Sequence, residues 1–515
     1  MGVAKPGKSR RPAFPTLLAL LVIIGLSACN LGLPQMARAE RDAGSTPAAD
    51  GAGPRLPSLF DRGTWMPLLF SLGLYTPATY YVSPAGNDKN PGSAARPWKT
   101  IQHAADRMAP GDTVVVGAGS YNERVQVTIS GLAGAPIHYR ANGVVWMQGF
   151  SVSASYITIQ GFHITDTPDD WRDGVGIWVQ GTHCLIEDNE IYFATRDGIV
   201  LFAEPFDSPK TSDCVVRNNR LHRDTMSGIE VRGQNNLIEG NEIWGTIQYH
   251  PKWRNPPAWA DADGMRFFGS GHVIRGNYIH DISYNDPENI SPHIDCFQTW
   301  GPAHDIVFER NVCRNMEIKT IYQNGQGFMI EQSSAPVQNI IVRNNILETF
   351  RGLEVFDCPS LIIVNNTFVG DLAYVEHWPV GIDIMRSPNL VVANNIFYNV
   401  GGGVAPYLSA DDATLRTAQV GHNLVYMSDG RRPAGTPNPG DRWRVDPELA
   451  SPSTGDYRLC PGSPAIDAGI PLATVKDDFD GRSRPQGAGY DIGAYEYAGS
   501  GATPGCAAST PAAAP

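Results

Sequence analysis

The stretch Leu185-Ile186-Glu187-Asp188-Asn189-Glu190-Ile191 decides the fold, because it recurs. The same frame fits Val215 to Leu221, Leu237 to Ile243, Val273 to Ile279, Val307 to Cys313, Ile341 to Leu347, Ile362 to Phe368 and Val391 to Phe397. Each copy carries an asparagine at its fifth position: Asn189, Asn219, Asn241, Asn277, Asn311, Asn345, Asn366 and Asn395. A unit of two or three dozen residues cannot bury a hydrophobic face alone, so the copies must stack. The pattern predicts one coil of a parallel β-helix per copy. Coils stack at roughly 4.8 Å, so the asparagines fall one above another, where their amides can hydrogen-bond along the stack. Asparagine also tolerates the left-handed turn expected between two strands of a coil.

A second column tests that register. Two residues before each asparagine stand Glu187, Arg217, Glu239, Arg275, Glu309 and Arg343. The charges alternate without a break, so stacked neighbours attract.

Working outward, the chain divides into a signal peptide (1–28), an Ala/Pro/Gly-rich tether (29–76), the β-helix (77–445), a closing segment (446–497) and a low-complexity tail (498–515). Lys5, Lys8, Arg10 and Arg11 precede a short apolar run that ends in Leu26-Ser27-Ala28-Cys29, which resembles a bacterial lipoprotein signal with Cys29 as the lipid attachment site. The resemblance implies export and anchoring to the membrane by lipid alone, on the extracytoplasmic face. Trp98 to Met108 has helical periodicity and is expected to cap the first coil. The closing segment, with Pro464-Ala465-Ile466-Asp467-Ala468-Gly469 and Asp491-Ile492-Gly493-Ala494-Tyr495-Glu496, is expected to cap the last. The other seven cysteines show no metal spacing and read mostly as buried thiols, with a disulfide compatible but unassigned. A net charge of −12 with no basic block excludes nucleic acid as a partner. No feature demands a second copy, and a monomer is expected.

Each coil should contain a further strand after the asparagine. Aligning Gly198-Ile199, Gly228-Ile229, Gly264-Met265, Cys296-Phe297, Thr320-Ile321, Gly352-Leu353 and Gly381-Ile382 points the second residue of each pair inward. The residues just before these pairs include Asp197, Asp263, Asp295, Lys319 and Arg351. Those just after include Glu230, Arg266, Gln298, Tyr322 and Glu354. A third column holds Arg232 and Trp300. Carboxylates, cations and aromatics on one face suit a glycan, and Glu230, Arg232, Gln298, Trp300, Tyr322, Arg351, Glu354 and Trp253 are the candidate substrate contacts. Between Asn241 and Asp263, and between Asn277 and Asp295, the chain carries insertions that open onto the two aspartates. Stacked carboxylates about 5 Å apart cannot both ionise cheaply without a cation, so either one holds a proton or calcium binds.

The asparagine ladder resembles that of the pectate-lyase superfamily, whose fold is the right-handed parallel β-helix, over roughly residues 80–445. Asp261-Ala262-Asp263-Gly264 resembles the calcium motif of a lysine-dependent family of β-helix pectate lyases. That resemblance implies calcium on Asp261, Asp263 and Asp295, with Lys319 as base and Arg266 or Arg351 on the uronate carboxylate. No Asp-Asp-Gly string follows at the next coil, where His293-Ile294-Asp295-Cys296 stands. The expected activity is calcium-assisted β-elimination of a uronate glycan, with Lys319, Arg266 and Asp295 catalytic. Two alternatives remain: a glycoside hydrolase using Asp263 and Asp295, or Glu230 with one of them, and a non-catalytic surface glycan-binding protein.

Overall fold

A computed structural model describes residues 73, 75–254, 260–317, 325–331, 335–372, 381–401, 406–499 and 505–506. Cys29, Lys319 and Tyr322 lie outside the described residues.

The coil is a triangle of three strands. In one coil these are Leu237–Glu239, Glu242–Trp244 and Ala262–Phe267; in the next, Val273–Arg275, Tyr278–Ser283 and Ile294–Thr299. The first two strands of every coil join one large sheet and the third joins an 11-stranded sheet. Pairing between coils is parallel and in the expected register: Glu239 lies beside Arg275, Ile243 beside Ile279, and Met265 beside Phe297. Inward residues such as Ile238, Ile243, Met265 and Phe297 are fully buried and fill the triangle. Period-two alternation therefore sets the core, as it must where each strand has one wet face. The chain is an all-β right-handed parallel β-helix.

The asparagine ladder forms as expected. Asn277 Nδ2 donates to Asn311 Oδ1 at 3.0 Å and to the Ile238 carbonyl at 3.0 Å, and the Asn277 backbone N–H also donates to Asn311 Oδ1. The same bonds link Asn189 through Asn395. The ladder runs one step further than the sequence alignment did, to Asn423, whose N–H donates to Asp441. One expectation is corrected. The left-handed residue is not the ladder asparagine but the one before it: Asp188, Asn218, Gly240, Gly276, Arg310, Asn344, Asn365 and Asn394 all have φ between 54° and 65°. That turn aims the next side chain, the amide, into the stack. The charge column pairs as expected, with Arg217–Glu187 at 2.6 Å, Arg275–Glu239 at 2.6 Å and Arg343–Glu309 at 2.5 Å.

At the start of the solenoid the helix is shorter than its periodicity implied, Ile101–Ala105. Thr100 caps it, and Glu123 accepts from the first two helical N–H groups, at 3.1 and 2.9 Å. The segment after Val445 covers a flank rather than the open end. The outward column that reads His163, Glu190, Arg220, Glu242 and Tyr278 in earlier coils becomes Ile346, Thr367, Ile396 and Leu424 in later ones. Leu449, Tyr457, Leu459, Ile492 and Ala494 pack on that apolar column. Four cysteines expected as thiols are paired instead, Cys296 with Cys313 and Cys460 with Cys506, while Cys184, Cys214 and Cys358 are free and buried. Packing explains the first pair. In the preceding coil a side chain at Gly264 would meet Ile279 of the next coil at 2.5 Å; one coil later the equivalent two positions are Cys296 and Cys313.

Candidate functional site

The 11-stranded sheet carries the candidate site on its outer face. Ser227 pairs with Asp263, and Asp295 pairs with Gln326, so these residues form one column. Here the structure corrects the alignment. The inward residue after Phe297 is Phe328, not Ile321. Gln326, Met329 and Glu331 therefore hold the places assigned to Lys319, Tyr322 and Asn324. The stretch from Asn311 to this column is 15 residues, not eight, making a third insertion. Gly327-Phe328 has the same glycine-plus-apolar signature as Gly264-Met265, whereas Thr320-Ile321 keeps the eight-residue spacing of Asn189 to Asp197 and Asn219 to Ser227.

Asp263 and Asp295 are 0% exposed and Arg266 is 2% exposed. The expected open cleft is thus closed at this level, and the two insertions close it. Gln248 binds both: its side-chain amide donates to the Ala260 carbonyl at 2.7 Å, and its Oε1 accepts from the N–H groups of Ile290 and Ser291. His293 N–H donates to Asp261 Oδ1 at 3.0 Å. Arg223 clasps the second insertion through Asp286 at 2.7 Å and Glu288 at 3.1 Å. Trp244 and His280 belong to the strands that enter these insertions.

Beneath this cover the charges are unequal in fate. Arg266 Nε donates to Asp263 Oδ2 at 2.8 Å, its Nη2 lies 4.0 Å from Asp261, and its guanidinium faces the Trp300 ring at 5.2 Å. Asp295 gets no such partner: both of its carboxylate oxygens are buried and unbonded. Gln298 Oε1 and Gln326 Oε1 are buried and unbonded too. Burial pushes the Asp263 carboxyl up to about 8, with Arg266 opposing and Asp261 adding to the rise. Burial, then Asp263 and Asp261, push Asp295 far above the usual carboxylate range. Asp197 is raised to about 6 by burial and Glu230, and accepts from Ser227 Oγ at 2.5 Å.

The remaining candidates are brought to the same face but are largely spent on each other. Glu230 pairs with Arg232 at 2.5 Å, and Arg351 pairs with Glu354. Gln298 Nε2 donates to Glu331, a residue that the sequence reading passed over. Trp300 is 38% exposed and offers a free edge. Trp253 packs on Arg196.

The donor chemistry suits calcium: buried carboxylate and amide oxygens without partners are hard ligands, and Asp295 leaves two lone oxygens. Among the described residues, no three His, Cys, Asp or Glu side chains stand ready as ligands around one point; Arg266 reaches towards both Asp263 and Asp261. A separate cleft of about 880 Å³, lined by Glu348, Phe350, Asp371, Tyr398 and Tyr457, lies between the later coils and the closing segment.

Comparison with known proteins places the first coils. Residues 80–224 match the family model for the Pel9A-like, right-handed β-helix region. A stretch of 130 residues is 36% identical to YwoF, an uncharacterized protein of Bacillus subtilis (strain 168). That match covers 22% of this chain and 28% of YwoF, so the chain spans little more than a quarter of this relative. Among solved structures, pectate lyase Pel9A is similar in fold (18% identity, 83% of this chain, 98% of that one, TM-score 0.49). So are XylC in complex with xylose (13%, 81%, 98%, 0.49) and an alginate lyase from Paenibacillus sp. str. FPU-7 (16%, 67%, 99%, 0.37). These likenesses are of fold, and bear on neither substrate nor chemistry.

Proposed function

We propose that the protein is an exported polysaccharide lyase that cleaves a uronate-containing glycan by β-elimination with the help of calcium. One observation carries the reading: Asp295 is a fully buried carboxylate with two unbonded oxygens, one coil above the buried Asp263. Leaving an ionised carboxylate so costs several kcal/mol unless a cation or a proton joins it. Asp261, Asp263 and Asp295 would hold calcium, which neutralises a uronate carboxylate and so acidifies the adjacent C–H. Arg266, fixed by Asp263 and Trp300, lends positive charge at the same place. Lys319 is retained as the base; it belongs to the segment 318–324, which ends two residues before Gln326. Export follows from Lys5 to Cys29, and a lipid on Cys29 would tether the enzyme outside the cell.

The raised Asp263 and Asp295 carboxyls favour a second reading, a glycoside hydrolase in which one of them is the acid. A single assay separates the two. Polygalacturonate, alginate and neutral xylan are incubated with the protein, with and without chelator. Ultraviolet-absorbing unsaturated ends that vanish with chelator are the expected result. New reducing ends without absorbance would favour the hydrolase. No cleavage of any of the three would overturn the lyase reading.

A further inference from the structure

Three arginines on the outer face of the 11-stranded sheet lie against aromatic rings. Arg232 faces Phe202, Phe206 and Phe268 at 4.8, 4.5 and 5.8 Å, and Arg266 faces Trp300. Arg196 lies between Trp253 at 4.3 Å and Trp171 at 5.7 Å. The first two have carboxyl partners inside the protein, Glu230 and Asp263. Arg196 does not. It forms no ion pair among the described residues, its Nε is buried without an acceptor, and its Nη1 touches only the Met226 sulfur at 3.9 Å. Asp170 feels the charge of Arg196 but forms no ion pair with it, its Oδ1 accepting instead from the N–H groups of Arg172 and Asp173.

The clamp is built from separate parts of the chain. Trp171 stands in the turn before the strand Ile177–Val179 and is 53% exposed. Trp253 comes from the first insertion, which is pinned to the earlier coil by Lys252, bonded to Asp166 and to the Thr167 carbonyl. A guanidinium whose charge lies against aromatic rings can still present in-plane donors to a planar anion.

We infer that Arg196, clamped by Trp171 and Trp253, is a binding subsite for the carboxylate of an acidic sugar unit. The inference rests on the polyuronate reading above. Arg196 directly precedes Asp197, whose column continues through Ser227 to Asp263. It therefore lies two coils, roughly 10 Å, along the axis from Asp263. A chain that reaches from this subsite to the surface over Asp263 and Asp295 spans more than one sugar unit, so the enzyme favours long substrates and cuts within them.

The test is kinetic, on whichever of polygalacturonate and alginate the wild type cleaves. Arg196→Gln should raise KM for the polymer on the order of 10- to 100-fold, the scale of a lost charge-assisted hydrogen bond. It should leave kcat nearly unchanged, and alter KM for the dimer or trimer far less. Arg196→Lys should fall between. Trp171→Ala, at an exposed ring, repeats the measurement should Arg196→Gln fold poorly. An unchanged polymer KM in both variants, with the wild type active, overturns the subsite alone. A wild type that neither binds nor cleaves a polyuronate overturns the lyase reading and the subsite with it.

Discussion

Two stacks of polar residues run along this solenoid, and they are opposites. In the asparagine ladder every rung is bonded: each amide donates to the next, and from Asn219 onward each Oδ1 accepts two N–H groups. In the Asp263–Asp295–Gln326 column the same stacking geometry leaves the Asp295 carboxylate and the Gln326 amide oxygen buried and unbonded. The first stack is stable because identical side chains meet at a fixed rise. The second has the rise without the complementary partners. Buried polar groups are nearly always satisfied, so the ladder explains itself within the fold, whereas the acidic column points outward to a ligand.

The sharpest way to break this contrast is Asp295→Asn. Turnover should fall on the order of 10²- to 10³-fold, as when one preorganised electrostatic group is removed. The melting temperature in chelator should hold or rise, since a neutral amide replaces a buried carboxyl that has no hydrogen-bond partner. An active variant that melts lower would mean Asp295 is structural after all. Asn277→Leu should do the reverse. It strips partners from the Asn241 backbone N–H, the Asn241 amide and the Ile238 carbonyl. Each buried orphan costs about 1–3 kcal/mol, so thermal melting should shift down by several degrees while kcat stays put. A shift near zero would remove the ladder from the list of stabilising elements.

A pH series sharpens the comparison further. Asp263 sits at about 8 in the folded state, above its unfolded value. Between those values the native state binds the extra proton, so raising pH lowers stability. In chelator, the melting temperature should decline from pH 5 to pH 8, and added calcium should restore more at pH 8 than at pH 5. A flat profile would deny that Asp263 is proton-bound. The smallest effect belongs to Glu239→Gln. Its pair with Arg275 is partly exposed, and such pairs contribute about 0–1 kcal/mol. A loss well beyond that would show the charge column to be more than a register device.

The coil and its registers were legible because they repeat: eight asparagines and six alternating charges constrain one another. What failed was local. Lys319 follows from the eight-residue spacing of the plain earlier coils, and a seven-residue insertion between Glu317 and Gly325 defeats that spacing. The burial of Asp263 and Asp295 was illegible because it depends on two insertions bonding to each other through Gln248. Arg196 was passed over because its partners, Trp171 and Trp253, lie 25 and 57 residues away, and no periodicity links them. The switch of one outward column from Glu242 and Tyr278 to Ile346 and Ile396 was there to be read, and it marks where the closing segment docks.

That segment has a consequence for the order of assembly. Asn344, Asn365 and Asn394, the left-handed residues beside the ladder, donate to the carbonyls of Asp477, Asp491 with Gly493, and Ile470. Each waits for a stretch of chain 76 to 133 residues downstream. During synthesis the later coils can wind as they emerge, yet their apolar flank stays bare until the last part of the chain arrives. Contacts of such long range form late, and a bare apolar flank is a site for misassembly. The first half of the solenoid, wet on that flank, carries no such delay. The protein should therefore mature from its amino-terminal coils onward, with the closing segment as the final step.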